Sequence, residues 1–121
     1  MSVQPWGVGM PTWLQLHEFA CVAQQAFGHS PILVGSALTT KTPRDIDVRV
    51  ILPTDEYLQR IGKIGEINLP FTRWAALCLA FSSLGQQMTG KLIDFQIQNE
   101  ETAYPYKDEP RIVLGTVTRE P

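Results

Sequence analysis

Apolar residues recur along this chain with two different periods, and the switches between them mark out its elements. Leu16, Phe19, Ala20, Ala23 and Phe27 fall at helical spacing, and Gly28 stops the run. Thr12 and Gln15 stand three apart at its start, the arrangement of a capping box. A short apolar strand of Ile32, Leu33 and Val34 follows and ends at Gly35-Ser36. Residues 45–52 alternate: Ile46, Val48 and Val50 point one way, and Asp45, Asp47 and Arg49 the other. Pro53, Thr54, Asp55 and Glu56 open a short helix that ends near Gly62. A longer helix opens over residues 68–71 and runs to about Met88, with Trp74, Leu77, Cys78, Phe81 and Leu84 as its apolar stripe. After Gly90, residues 91–98 alternate again, with Ile93, Phe95 and Ile97 toward the core and Leu92, Asp94, Gln96 and Gln98 away from it.

The ends of the chain read less regularly. Residues 1–11 are rich in Gly and Pro and are expected to form a flexible N-terminal segment. Residues 103–110 read as a turn-rich loop in which Tyr104 and Tyr106 flank a proline, placed either to stack on a base or to pack on the domain edge. Residues 111–117 read as a last strand or an arm, since Pro105 and Pro110 argue against a helix. The expected fold is one α/β (α+β) domain over residues 12–121: a small mixed β-sheet with helices packed on one face. The other face carries the carboxylates and opens to solvent.

Composition bounds the function without choosing it. The chain has 121 residues, 44% hydrophobic and 18% charged, enough for one domain with a real core. A net charge of −2 removes the basic footprint of nonspecific nucleic-acid binding, although a local patch would still serve a nucleic-acid acceptor. Cys21 and Cys78 both lie in helical apolar runs and are expected as buried free thiols, not as a disulfide or zinc site. His17 and His29 have no metal-like spacing with them and are expected at the surface or its boundary. No segment reaches the length of a membrane span and no secretory signal is apparent, so no membrane partner is expected and a cytoplasmic location is the default.

The chemistry lies in the carboxylates. Asp45 and Asp47 sit on the same strand face, where two like charges repel unless a divalent cation lies between them. If the Asp94 strand lies beside theirs, three carboxylates converge. Such a set suits Mg²⁺ or Mn²⁺, and two-metal phosphoryl chemistry in particular.

In this order, Gly35-Ser36, Asp45-Ile46-Asp47 and Asp94, the chain resembles the DNA polymerase β-like nucleotidyltransferases, in their minimal branch. The resemblance covers roughly residues 31–98. Gly-Ser or Asp-x-Asp alone carries little weight, and the combination on the right elements is what counts. The resemblance implies Mg²⁺-dependent transfer of a nucleoside monophosphate from a nucleoside triphosphate, commonly ATP, to a hydroxyl, with release of pyrophosphate. It implies that Asp45 and Asp47 hold the ion that binds the triphosphate. Asp45, Asp47 and Asp94 would hold a second ion at the acceptor, with Asp94 helping to remove the hydroxyl proton. Gly35 and Ser36 would meet the outer phosphates, helped by a helix N-terminus if one begins just after Ser36.

The chain departs from the family by carrying Ala37, Leu38, Thr39 and Thr40 where many relatives have an arginine or glycine. Lys41 and Arg44 become the nearest cations for phosphate. Arg49 either binds phosphate or acceptor, or pairs with Asp47 and partly neutralises the cluster. The acceptor stays open among a protein hydroxyl, a small-molecule hydroxyl and an RNA end. The short length suggests that a homo-oligomer, a partner subunit or a macromolecular acceptor completes the site. The competing reading is a nucleotide- or metal-binding module of the same fold without turnover. A plainer one is a strand whose carboxylates merely face water.

Overall fold

Three strands whose apolar residues share one side form the middle of the molecule. The structure is a computed structural model that describes residues 7–40, 43–62, 69–103 and 110–115. Among these residues, strands β1 (Ile32–Val34), β2 (Ile46–Leu52), β3 (Ile93–Asn99) and β4 (Ile112–Val113) form one open sheet in the order β3-β2-β1-β4. β1 runs antiparallel to β2 and β4, while β2 and β3 run parallel. The sheet is therefore mixed. Helices α1 (Thr12–Phe27) and α3 (Leu69–Thr89) cover one face, and α2 (Thr54–Arg60) follows β2. α3 makes the crossover between the parallel pair, which two antiparallel strands would not need.

The core is the meeting of the two sequence periods. Val48, Val50 and Leu52 of β2, with Phe95 and Ile97 of β3, are buried against Leu16, Phe19, Ala20, Ala23 and Phe27 of α1. Phe95 lies at its centre. Its ring stacks on Phe81 at 5.2 Å and on Phe27 at 6.0 Å, and meets Phe19 edge-on at 5.8 Å. Such pairs add stability beyond their buried area, ~0.5–1.5 kcal/mol each.

α3 does more than cover apolar surface. β3 is an edge strand, and its outward main-chain groups would otherwise be unpaired. Trp74, Cys78 and Ser82, four residues apart on α3, meet them. Trp74 Nε1 donates to the Ile97 carbonyl at 2.7 Å, and the Ile97 N–H donates to Cys78 Sγ. The Phe95 N–H donates to Ser82 Oγ at 2.9 Å. A polar row at helical spacing thus takes the place of a neighbouring strand.

The element boundaries follow local chemistry, with some differences from the sequence reading. Gly28 closes α1 in the left-handed region at φ 80°, its N–H donating to Gln24 O at 2.6 Å. The capping box at Thr12 and Gln15 does not form. Pro11 is the N-cap, Thr12 is already helical, and the first N–H groups reach the carbonyls of Gly9 and Pro11. Part of the expected flexible lead-in is tied down, although Gly9, Met10 and Pro11 are exposed. Val8 is 1% exposed, and the Gly7 N–H donates to Ala37 O at 2.8 Å. α2 is tied to the end of α1 through His29 to Glu56 at 2.8 Å and Arg60 to the Phe27 carbonyl at 2.8 Å. Of the last strand or arm expected over residues 111–117, β4 pairs Ile112 and Val113 with β1 among the described residues. Residues 1–6, Tyr104, Tyr106 and residues 116–121 lie outside the described residues. Among the described residues, no helix is long and apolar enough to cross a membrane.

His17 corrects a sequence expectation. It is buried at 6% exposure, not at the surface, because it falls on the inner side of α1 beside Trp13, whose ring it meets edge-on at 4.4 Å. Its Nδ1 accepts the Gly115 N–H at 3.0 Å, which places the ring proton on Nε2. Cys21 Sγ lies 3.8 Å from the Gly115 carbonyl, so α1 holds both main-chain groups of that residue. Cys21 is half-buried and Cys78 buried, both as free thiols.

Burial lowers the His17 pKa from its ordinary 6.5. The folded state therefore favours the neutral ring. That preference leaves stability intact above pH 6.5 and erodes it as pH falls below, where the unfolded chain protonates first. Denaturant midpoints should accordingly drop between neutral pH and about pH 5.5. In His17→Gln, whose side-chain carbonyl still accepts the Gly115 N–H, that part of the drop should vanish. An identical pH profile for both proteins would contradict this account.

Candidate metal and phosphate site

On the face of the sheet turned away from α1 and α3, register sets who stands beside whom. Val34 of β1, Asp47 of β2 and Asp94 of β3 form one row across the sheet. Ile32, Arg49 and Gln96 form the next. Laterally paired residues share a face and lie close together. Each polar row is therefore flanked on the β1 side by a buried aliphatic side chain: Val34 is 2% exposed and Ile32 9%.

Asp45, Asp47 and Asp94 converge as the sequence suggested. Each is half-buried, and one carboxylate oxygen from each lies within 4.8 Å of the others. Asp45 sits one residue before β2, in the bend that leads into it, so the strand starts one residue later than the alternation implied. The cluster thus joins two strand positions and one loop position. Burial raises the Asp47 pKa above its ordinary 3.8; Arg49 opposes this, and the charges of Asp45 and Asp94 add to the rise.

The turn after β1 closes the site on the Asp47 side. Gly35 adopts φ 81°, a conformation L side chains rarely take, and a Cβ on it would run into Asp47 Oδ2. The absence of a side chain is what lets the backbone approach the carboxylate. The helix anticipated after Ser36 is a single 3-10 turn, Gly35–Leu38. The Ser36 carbonyl draws the chain tight by accepting the Thr39 N–H at 3.0 Å, the Thr40 N–H at 2.8 Å and the Thr40 hydroxyl at 3.0 Å. Ser36 itself is exposed. Four residues build no helix macrodipole, so any phosphate here would rely on individual donors.

Of the cations expected to meet phosphate, Arg44 is exposed beside Asp45, and Lys41 lies outside the described residues. Arg49 is 6% exposed and is committed elsewhere. Its Nη1 donates to the main-chain carbonyls of Asp94 at 2.6 Å and Val48 at 3.1 Å. Its Nη2 lies 3.3 Å from Asp94 Oδ2 and 3.8 Å from Asp47 Oδ1. Of the two roles open to it from the sequence, the geometry is that of the internal ion pair. The stronger partner is Asp94 rather than Asp47.

Two further contributions, one from a pair of glutamines and one from a glycine, were not singled out in the sequence. Gln96 Nε2 reaches Asp94 Oδ1 at 3.4 Å, and Gln98 Nε2 reaches Gln96 Oε1 at 3.3 Å, so the amides line up toward Asp94. Their alternation on one strand face was the available signal. Gly7 is the other. A Cβ there would lie 2.8 Å from Ala37 Cα, Ala37 O and Thr40 O, all backbone, so the N-terminal segment props the turn that carries Gly35. No sequence pattern links residue 7 to residue 37.

No family model, curated protein or solved structure matches this chain. The likeness to nucleotidyltransferases therefore rests on Gly35, Ser36, Asp45, Asp47 and Asp94 themselves.

Gly35→Ala should cost about 1–3 kcal/mol by chemical denaturation, since it adds backbone strain to the overlap with Asp47. A change below a few tenths of a kcal/mol would show that the turn simply relaxes. Asp47 offers a test of opposite sign. A carboxyl whose folded pKa is raised contributes stability below its ordinary 3.8 and loses it as pH rises. Without divalent ions, Asp47→Asn should therefore melt higher than the native chain at pH 7. The gain should shrink as the pH approaches 4. A lower melting point at pH 7 would mean that the Arg49 pairing outweighs burial and repulsion.

Proposed function

We propose that this protein is a metal-dependent nucleotidyltransferase. It would move a nucleoside monophosphate from a nucleoside triphosphate, ATP in the first instance, to a hydroxyl acceptor, with pyrophosphate leaving. The observation that carries this reading is the convergence of Asp45, Asp47 and Asp94 beside a glycine turn that makes room for the Asp47 carboxylate.

The donor set fits a hard divalent ion, Mg²⁺ or Mn²⁺. It is all carboxylate oxygen, and no histidine or cysteine enters the cluster among the described residues. The raised Asp47 pKa marks a place where negative charge is crowded and partly dehydrated, which a cation would relieve. Asp45 and Asp47 would hold the ion, which when bound neutralises phosphate charge and acidifies a neighbouring hydroxyl.

The remaining work falls to the chain. Gly35 and Ser36 would meet the outer phosphates with main-chain N–H groups and the exposed hydroxyl, and Arg44 would add charge. Asp94, its carboxylate oriented by Arg49 and Gln96, would accept the proton of the attacking hydroxyl. Two adjacent strands fix Asp47 and Asp94 relative to one another, so catalysis would come from positioning and charge, not from a covalent intermediate.

One observation favours the second reading, a nucleotide- or metal-binding module without turnover. The buried Arg49 already neutralises part of the cluster at Asp94.

The test is thermal melting with ATP, with and without Mg²⁺ or Mn²⁺, followed by release of pyrophosphate in the presence of hydroxyl acceptors. A ligand at about 100 times its dissociation constant stabilises by roughly 2.7 kcal/mol, a shift of a few degrees in a domain of this size. The shift should require both metal and nucleotide and vanish in Asp47→Asn. Asp45→Asn should lower any pyrophosphate release by orders of magnitude with the fold kept. A shift without pyrophosphate release over protein, small-molecule and RNA acceptors would select the second reading. No shift in any combination would favour a structural domain or a site that only a partner completes.

A further inference from the structure

We propose that Arg49 is a resident cation of the carboxylate cluster, standing on Asp94 in the place of a second divalent ion, so that the site takes one ion. This rests on the metal-binding reading above and narrows it. Two-ion phosphoryl chemistry needs Asp94 free to share an ion, and here Asp94 already has a cation.

The guanidinium is not a surface group that swings aside. Arg49 is 6% exposed, on the middle strand between Ile32 and Gln96. Nη1 is held by two main-chain carbonyls, at 2.6 Å from Asp94 O and 3.1 Å from Val48 O. Those bonds aim Nη2 into the cluster, 3.3 Å from Asp94 Oδ2 and 3.8 Å from Asp47 Oδ1. Nε is buried with no hydrogen-bond partner among the described residues. Turning away would strand a buried charge and break both carbonyl bonds.

Charge points the same way. Three carboxylates and one guanidinium leave a net charge of minus two, which a single divalent ion balances. A second divalent ion on Asp94 would lie a few ångströms from a fixed positive charge in a half-buried place, where repulsion weakens binding by orders of magnitude. Asp45, by contrast, has no side-chain hydrogen bond or ion pair among the described residues. The ion would therefore be held chiefly by Asp45 and Asp47, while Asp94 Oδ1 is engaged by the Gln96 amide.

The experiment counts Mn²⁺ bound to the full chain, by the electron paramagnetic resonance of the free ion and by calorimetry. The native protein should bind one ion at the cluster, and Asp47→Asn should lose it. Asp94→Asn leaves the Arg49 charge uncompensated beside the ion and should weaken it, and adding Arg49→Met to Asp94→Asn should bring the affinity back to within about tenfold of the native value. Arg49→Met should bind the first ion at least about tenfold more tightly, or take a second, because a neighbouring positive charge is gone. Arg49→Lys should keep one ion. If Arg49→Met does not fold, the count for the native chain decides. Two ions in the native chain would overturn the role of Arg49 and leave the metal-binding reading standing. An unchanged affinity and count in a folded Arg49→Met would overturn it too. No ion in the native chain would overturn both.

Discussion

The parallel pairing of β2 with β3 is the constraint on which the rest of the molecule depends. Its register sets Asp47 beside Asp94 and, two residues on, Arg49 beside Gln96. A one-residue slip would turn every side chain of one strand to the other face and send Phe95 out of the core while Asp94 entered it. The hydrophobic effect thus fixes the position of the charges. Val48, Val50, Phe95 and Ile97 are each no more than 1% exposed, and their burial on one face leaves the acidic residues only the other.

That arrangement places like charges at close range, and the surroundings hold them there in different ways. Val34 and Ile32 dehydrate the β1 side of the two polar rows. Arg49 supplies an internal positive charge anchored to main-chain carbonyls, and the Gln96–Gln98 amides align toward Asp94. Gly35 leaves space where any side chain would strike Asp47, and the segment at Gly7 and Val8 keeps the Gly35 turn from drifting away. The cluster therefore belongs to a framework that reaches from residue 7 to residue 98. It is not an isolated patch of acidity on a strand.

The helical side serves the same end. α3 must carry the chain back across the sheet because β2 and β3 are parallel, and it also satisfies the edge of β3 through Trp74, Cys78 and Ser82. The main-chain groups of Phe95 and Ile97 on that edge are thereby already paired. α1 contributes the aromatic floor beneath Phe95 and holds Gly115 through His17. Rigidity under the carboxylates is what positional chemistry of the proposed kind requires.

By itself the sequence determined the period of each element and the face on which each residue falls. Hydrophobic alternation in β2 and β3, helical spacing in α1 and α3, and the stops at Gly28 and Gly90 are local facts, and the structure agrees with them to within a residue or so. The mixed sheet with helices on one face, and the shared side of Asp45, Asp47 and Asp94, follow from those periods once the strands are assumed to be neighbours. Tertiary structure alone decided which partners those residues meet. Arg49 had two open roles because its choice turns on Asp94, 45 residues away in sequence. His17 lies at the 3.6-residue spacing of the buried positions, yet its burial is completed by Gly115, a contact no local pattern encodes. The same holds for Gly7 against Ala37 and for the single 3-10 turn after Gly35. Periodicity reports only which side of an element is apolar. Pairing between distant segments is settled by competition among packed alternatives, and that competition takes place in three dimensions.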